Sequence, residues 1–154
     1  MKSSTIALLF ILLIACNSET KEIVTANPSA SDMTEKNRAL IRKVYSEMVN
    51  KRQLNLLDSF YAPEIVDHSA FEGQQQGREG FKKAVADFLG LFAKVEVDLH
   101  EVLAEGGIVA TRETWNVVLA SNNKPVTGET MHFFKIKDGL IMDEWSKGWE
   151  WLGL

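Results

Sequence analysis

The spacing of apolar residues changes once along this chain, near Lys94, and that change limits the folds open to it. Upstream, Leu40, Ile41, Val44, Tyr45, Met48 and Val49 recur at helical spacing. Asp32-Met33-Thr34-Glu35 has the form of a capping box, so a first helix is expected over about residues 34–50. Leu54, Leu56, Leu57 and Phe60 mark a short second helix, stopped at Ala62-Pro63 because the residue before a proline disfavours helix. A short extended segment follows over residues 64–68, then a polar loop rich in Gln and Gly. Phe81, Val85, Phe88, Leu89 and Phe92 place a third helix over residues 78–92. Downstream the period is two. Val95, Val97 and Leu99 alternate with Glu96, Asp98 and His100. Strands are expected over residues 108–119, 130–137 and 140–149, the last two joined by Asp138-Gly139, a strong two-residue hairpin signal. Helices followed by an antiparallel meander give an α+β domain with helices on one face of a curved sheet. The space between the layers is a natural small-molecule pocket.

The N-terminus does not belong to this domain. Lys2 precedes an uninterrupted apolar run over residues 6–15. Ten residues are too few to span a bilayer, which takes about 20 in a helix, but they fit a signal peptide. The run ends in Leu13-Ile14-Ala15-Cys16, which resembles a bacterial lipobox, where the thiol is acylated and the peptide is cut just before it. Cys16 is the single cysteine of the 154 residues. Lipidation explains an unpaired thiol in an exported chain and anchors a protein without spanning. Removal of residues 1–15 takes away one basic group, Lys2, and makes the remainder more acidic than the formal net charge of −4. Asn17 follows the cysteine; resemblance to Gram-negative lipoproteins then implies the outer membrane of the cell envelope. Residues 16–31, polar and containing a proline, are expected to be a tether with a reach of roughly 20 Å. The domain is expected over residues 32–154.

Composition removes several function classes. The acidic balance, without a Lys/Arg block, argues against nucleic acid as the main partner. One cysteine excludes an intramolecular disulfide and a cysteine-rich zinc site. His68, His100 and His132 are too far apart in sequence to show metal-ligand spacing. Gly106-Gly107 reads as a turn, and there is neither a phosphate-binding glycine loop nor a G-x-S-x-G motif.

Four segments carry a family resemblance. They are Asn37-Arg38-Ala39-Leu40-Ile41-Arg42-Lys43-Val44-Tyr45; Leu57-Asp58-Ser59-Phe60-Tyr61-Ala62-Pro63 with Val66-Asp67-His68; Gly77-Arg78-Glu79-Gly80-Phe81; and Gly128-Glu129, His132, Ile136, Asp138-Gly139, Ile141 and Asp143. In this order the chain resembles the SnoaL-like proteins, which include polyketide ester cyclases and share the cone-shaped fold of nuclear transport factor 2. The resemblance covers about residues 34–154. It implies three helices packed on a curved antiparallel sheet, and acid–base chemistry on an apolar substrate without a metal or cofactor. It places His132 at the histidine preceding the D-G turn. Ser146 stands where the cyclases carry an acid–base aspartate, and Glu144 where they carry a histidine, so the key carboxylate is displaced or missing.

The strand pattern poses a geometric question about His132 and Glu144. A simple two-residue hairpin at Asp138-Gly139 opposes Lys137 to Leu140 and therefore His132 to Trp145. Glu144 then points to the other face. The resemblance instead puts His132 and Glu144 in one pocket, which requires a one-residue shift or a bulge. If they meet, they form a general base and an orienting carboxylate; otherwise they belong to different faces. Tyr45, Phe60, His68, Arg112, Trp115, Trp145 and Ser146 are the candidate pocket residues. Each has a plainer role: core packing for the aromatic residues, a rim position for His68, and an ion pair with Glu101 or Glu113 for Arg112. Asp67 reads as a turn former. His100 alternates with apolar residues and is expected on the surface. Trp149 and Trp151 either line the pocket, cover the open end of the cone or form a dimer surface. Three readings stand at this point: an acid–base enzyme of the cyclase or isomerase type, a non-catalytic binder of a small apolar ligand, and a homodimeric interaction module.

Overall fold

A computed structural model describes residues 30–153. The expected signal peptide, Cys16 and all but the last two residues of the expected tether lie outside this range. Helix α1 (Ala30–Lys43) continues as a π-helical turn, Val44–Val49. It already includes Ala30 and Ser31, so Asp32 lies inside the first turn rather than ahead of it. A 3₁₀ turn (Leu54–Leu56) leads into the short α2 (Leu57–Phe60), and α3 covers Gly77–Gly90. The strands are β1 (Tyr61–Asp67), β2 (Phe92–Glu105), β3 (Ile108–Leu119), β4 (Pro125–Lys137) and β5 (Leu140–Lys147), and a 3₁₀ turn (Glu150–Leu152) closes the chain. Several boundaries differ from expectation: α1 starts at Ala30, β1 at Tyr61 and β4 at Pro125, each earlier than the spacing places it. Phe92 opens β2 instead of ending α3, and β5 stops at Lys147, before Trp149.

The five strands form one sheet in the order β1-β5-β4-β3-β2. β2 to β5 make the expected antiparallel meander. β1 joins its β5 edge in parallel, so the sheet is mixed. Asp138 and Gly139 both take positive φ, 53° and 79°, which the tight hairpin between β4 and β5 requires. Bulges interrupt β2 near Ala93 and His100, and β5 at Met142; each adds bend and twist. The curved sheet and the helices enclose one core, including Ile41, Val44, Met48, Leu57, Ile65, Phe81, Val109, Phe134 and Ile141.

The π turn and α1 also protect the outer edge of β2. Asn50 donates from Nδ2 to the Val97 carbonyl (3.0 Å) and accepts from the Val97 N–H (2.8 Å). Asn37 donates to the Gly106 carbonyl (2.9 Å) and Arg38 to that of Val102 (3.3 Å). These bonds occupy backbone groups that an exposed edge strand leaves open. They also fix α1 over the sheet, with Tyr45 pointing inward. At the other edge, Arg78 donates to the carbonyls of Asp58 and Tyr61, holding α3 against the start of β1.

Candidate functional site

Parity along β3, β4 and β5 builds the site. On β3, Val109, Thr111, Glu113, Trp115 and Val117 face the helices; on β4, Thr130, His132, Phe134 and Ile136 do. On β5 the outcome depends on the bulge. Beside the turn, Ile136 pairs with Ile141, but Lys135 pairs with Asp143 and His132 with Ser146. Met142 is the extra residue. It shifts the register by one and turns Glu144 and Ser146 toward the interior beside His132.

The result is a buried polar line between apolar walls. Glu113 is fully buried and accepts hydrogen bonds from the Tyr45 hydroxyl (2.8 Å) and the Thr130 hydroxyl (2.7 Å). Its Oε2 also lies 3.1 Å from His132 Nδ1. Trp115 Nε1 donates to Thr130 Oγ1 (2.9 Å), fixing that hydroxyl in turn. On the opposite side of the imidazole, Nε2 is 3.9 Å from Glu144 Oε1. This is close enough for strong electrostatic coupling and too long for a hydrogen bond. The Tyr61 hydroxyl donates to Glu144 Oε2 (3.0 Å).

Burial and charge drive these groups in different directions. Burial raises the Glu113 carboxyl, but the His132 hydrogen bond and charge outweigh it, and its pKa is lowered. Burial would lower His132, but the hydrogen bond and charge of Glu113 hold it above its ordinary value. Glu113 and His132 therefore form an ion pair. Glu144 is pushed up to about 7, chiefly by burial; His132 opposes that rise and the neighbouring Asp67 charge adds to it. Burial and the adjacent glutamates raise Tyr45 and Tyr61 well above the ordinary phenol value, so both remain hydroxyl donors. A carboxyl poised near neutrality beside an imidazolium is suited to accept and return a proton.

These groups face a cavity of about 110 Å³. Tyr45, Tyr61, Asp67, His132, Glu144 and Ser146 supply its polar lining, and Met48, Val85, Phe88, Trp115, Phe134 and Trp149 contribute apolar walls. Phe88, Trp115 and Trp149 meet edge to face, with ring centroids 5.0 to 5.8 Å apart. Trp149 Nε1 donates to Ser146 Oγ (2.9 Å). Trp151 packs over Gly128, where an added Cβ would fall 2.1 Å from the indole. Glycine is required there to admit the ring.

Of the residues expected at the pocket, Tyr45, Trp115, His132, Glu144 and Ser146 line it. Four others lie elsewhere. Phe60 is buried in the core outside the cavity lining, because the chain turns into β1 after it and Tyr61 occupies the inward position. Arg112 has the opposite parity to Glu113. It lies on the outer face, bonded to Glu101 (2.7 Å) and Glu129 (2.9 Å). The bulge that turns Glu144 inward turns Trp145 outward, next to Phe133 on the paired strand. There Trp145 stacks on His68 with ring planes 1° apart, and His68 Nε2 meets Asp143 Oδ1 at 2.9 Å. His100 is exposed, as its alternation predicts, and contacts Thr114.

Among the polar residues that line or support the cavity, Glu113, Tyr61 and Asp67 are outside the expected set. Glu113 had a usable signal, since it shares parity with Val109, Thr111, Trp115 and Val117. Tyr61 and Asp67 had no comparable signal. Their inward positions depend on how β1 pairs with β5, where Asp67 comes into register with Glu144.

The comparisons agree with this architecture. A family model described as a SnoaL-like domain matches residues 41–144, and the chain belongs to that family. Its solved structural relatives share the cone of helices on a curved sheet. A protein assigned as a SnoaL-like polyketide cyclase from Jannaschia sp. CCS1 superposes with a TM-score of 0.69 at 15% identity, covering 79% of this chain and 91% of that one. A protein assigned as a polyketide cyclase from Bacillus cereus ATCC 10987 gives 0.68 at 21% identity, covering 82% and 85%. TsrD from Streptomyces laurentii gives 0.66 at 17% identity, covering 74% and 88%. At these identities the likeness establishes the fold. No curated protein sequence matches the chain.

Proposed function

We propose that this SnoaL-like domain transfers protons on a small apolar carbonyl compound held in its cone. The observation that carries this reading is the line Glu113–His132–Glu144, which ends at the cavity. Ionised Glu144 removes a proton from the carbon beside the carbonyl, and the C–H electron pair becomes the C=C bond of an enolate. The His132 Nε2–H donates to the enolate oxygen as negative charge develops there, which is where a fixed donor stabilises a transition state most. Glu113, held by Tyr45 and Thr130, orients the imidazole and keeps it charged. Return of the proton from Glu144 to carbon gives exchange or isomerisation. Attack of the enolate carbon on a second carbonyl of the same molecule gives ring closure, with the Glu144 proton passing to the new alkoxide. No cofactor enters either route. The names of the related structures support the cyclase variant by analogy of fold.

The test uses the full-length protein in detergent with small ketones in D₂O, following loss of the α-proton signal by NMR. Exchange faster than buffer is expected, with its loss in His132→Ala and Glu144→Gln variants that keep the wild-type near-UV spectrum. A ketone that binds in the cone without accelerated exchange would leave a non-catalytic binder. The dimeric interaction module is favoured by a separate observation: exposed Leu103, Ile108, Met131 and Phe133 share the outer face of the sheet. Sedimentation at monomer mass would remove it.

The same proposal places the domain at the bacterial cell envelope, anchored through acylated Cys16 on the tether ahead of α1. The sequence of residues 2–17 supports this placement. Metabolic labelling with palmitate should mark the wild type and leave Cys16→Ser unlabelled and released from membranes. Equal labelling of both would exclude Cys16 as the anchor.

A further inference from the structure

The cavity is one-sided in charge. Among the described residues, Asp67, Glu144 and His132 are the acidic and basic groups that line it; neither lysine nor arginine does. The charge on His132 is already matched by Glu113 behind it. Asp67 and the ionised form of Glu144 therefore leave the interior with a net negative charge. Asp67 accepts from the Ser69 N–H (2.9 Å) and from Gln74 Nε2 (3.0 Å), which hold its carboxylate at the cavity wall. His132 is 6% exposed at the side chain, yet its Nε2 has no hydrogen-bond partner among the described residues. This nitrogen lies 3.9 Å from Glu144 Oε1 at the cavity, where a ligand oxygen placed between the two can accept from it.

We infer that the ligand is a compact amine-bearing carbonyl compound, with its oxygen on His132 Nε2 and its protonated nitrogen on Asp67. This inference rests on the proton-transfer reading for the carbonyl and adds the charge of the substrate. Asp67 and Glu144 are register partners on adjacent strands, about 4.8 Å apart along the hydrogen-bonding direction. That spacing puts the nitrogen two or three bonds from the carbonyl carbon when Glu144 reaches the carbon between them. The aromatic corner of Phe88, Trp115 and Trp149 holds the apolar body and favours a nearby cation. A ligand carboxylate in the same position would meet two protein carboxylates in an environment that screens poorly. Asp67 is thus the residue that sets specificity, while Glu144 and His132 perform the chemistry.

Three ring probes of similar size separate the charge states: cyclohexylamine, cyclohexanol and cyclohexanecarboxylate, titrated calorimetrically into the full-length protein at pH 7. The amine should bind at least tenfold more tightly than the alcohol, and the carboxylate should not bind measurably. Asp67→Asn keeps an acceptor for the Ser69 N–H; it should remove the amine's advantage over cyclohexanol, and Asp67→Glu should restore part of that advantage. A carboxylate that binds as tightly as the amine, an amine preference that survives in Asp67→Asn, or no binding of any probe would overturn the inference. Amine preference without α-proton exchange would refute the catalytic reading alone. Exchange on neutral ketones without amine preference would refute the ligand class alone.

Discussion

Glu144→Gln should stabilise the protein while abolishing its chemistry, and the gain should grow with pH in a defined window. The Glu144 carboxyl sits near 7 in the folded protein, mainly through burial, against an ordinary value of 4.5. The folded chain therefore binds this proton more tightly than the unfolded chain does. Below pH 4.5 both states hold it, and Glu144 has no pH-dependent effect on stability. Between 4.5 and 7 the folded state retains a proton that the unfolded state has released, so each added pH unit reduces stability by about 1.4 kcal/mol. Above 7 the loss levels off at about 3 kcal/mol, the cost of keeping a charge in a side chain that is 13% exposed. Glutamine cannot ionise and keeps an oxygen to accept from Tyr61. Any fixed packing penalty it carries is the same at every pH. The melting temperatures of variant and wild type should differ by a constant up to pH 4.5. The difference should then move in the variant's favour by about 10 °C by pH 8, at roughly 2–4 °C per kcal/mol for a chain of this size. Thermal denaturation followed by circular dichroism across pH 4–8.5 measures it. A difference independent of pH, or a wild type that gains on the variant as pH rises, would show that Glu144 is not held as a strained carboxyl and would remove its suitability as a base.

Two further outcomes check the rest of the site. Glu113→Gln removes the hydrogen bond and charge that hold His132 above its ordinary value, so burial should lower the imidazole midpoint in an NMR titration; an unchanged midpoint would mean the pair is not coupled. Gly128→Ala places a methyl group inside the Trp151 indole, which should destabilise the protein by about 1–3 kcal/mol in urea denaturation and change tryptophan fluorescence. Wild-type stability and emission would contradict the packing of Trp151 on β4.

The period change at Lys94 was enough to read the layers of the fold, because burying one face of a helix and one face of a strand leaves different spacings in the sequence. It located α3, the meander and the Asp138-Gly139 hairpin. Less legible were features set by pairing partners far apart in sequence. Nothing local in Tyr61-Ala62-Pro63 shows that this segment becomes a strand parallel to β5, so Tyr61 and Asp67 could not be placed in the cavity. Arg112 looked like a pocket group because it lies on a central strand, but its neighbour Glu113 has the parity of the buried row. An ionisable residue in an alternating strand is assigned by the apolar residues two positions away on each side, and by that criterion Glu113 was visible. His68 and Trp145 stack together outside the cavity for one shared reason: the register of β5 turns Trp145 outward.

That register depends on one residue. With a regular hairpin, His132 would oppose Trp145, and Glu144 would share the outer face with Phe133. The indole would fill the space before the imidazole, and the helices would cover a closed apolar core. Inserting Met142 into the ladder reverses the exchange. Glu144 and Ser146 turn in, Trp145 leaves to stack on His68, and the space released becomes part of the cavity wall. The local cost is modest, since a bulge disrupts only a short stretch of pairing beside a turn already strained toward positive φ at Asp138. The larger cost lies in the interior, where a carboxyl is kept from water at some 3 kcal/mol above neutrality. A fold selected for stability alone would favour the regular hairpin and a tryptophan core. The bulge carries a geometric cost and the buried glutamate an electrostatic one, and the proposed proton transfer between Glu144 and a ligand held by His132 would account for both.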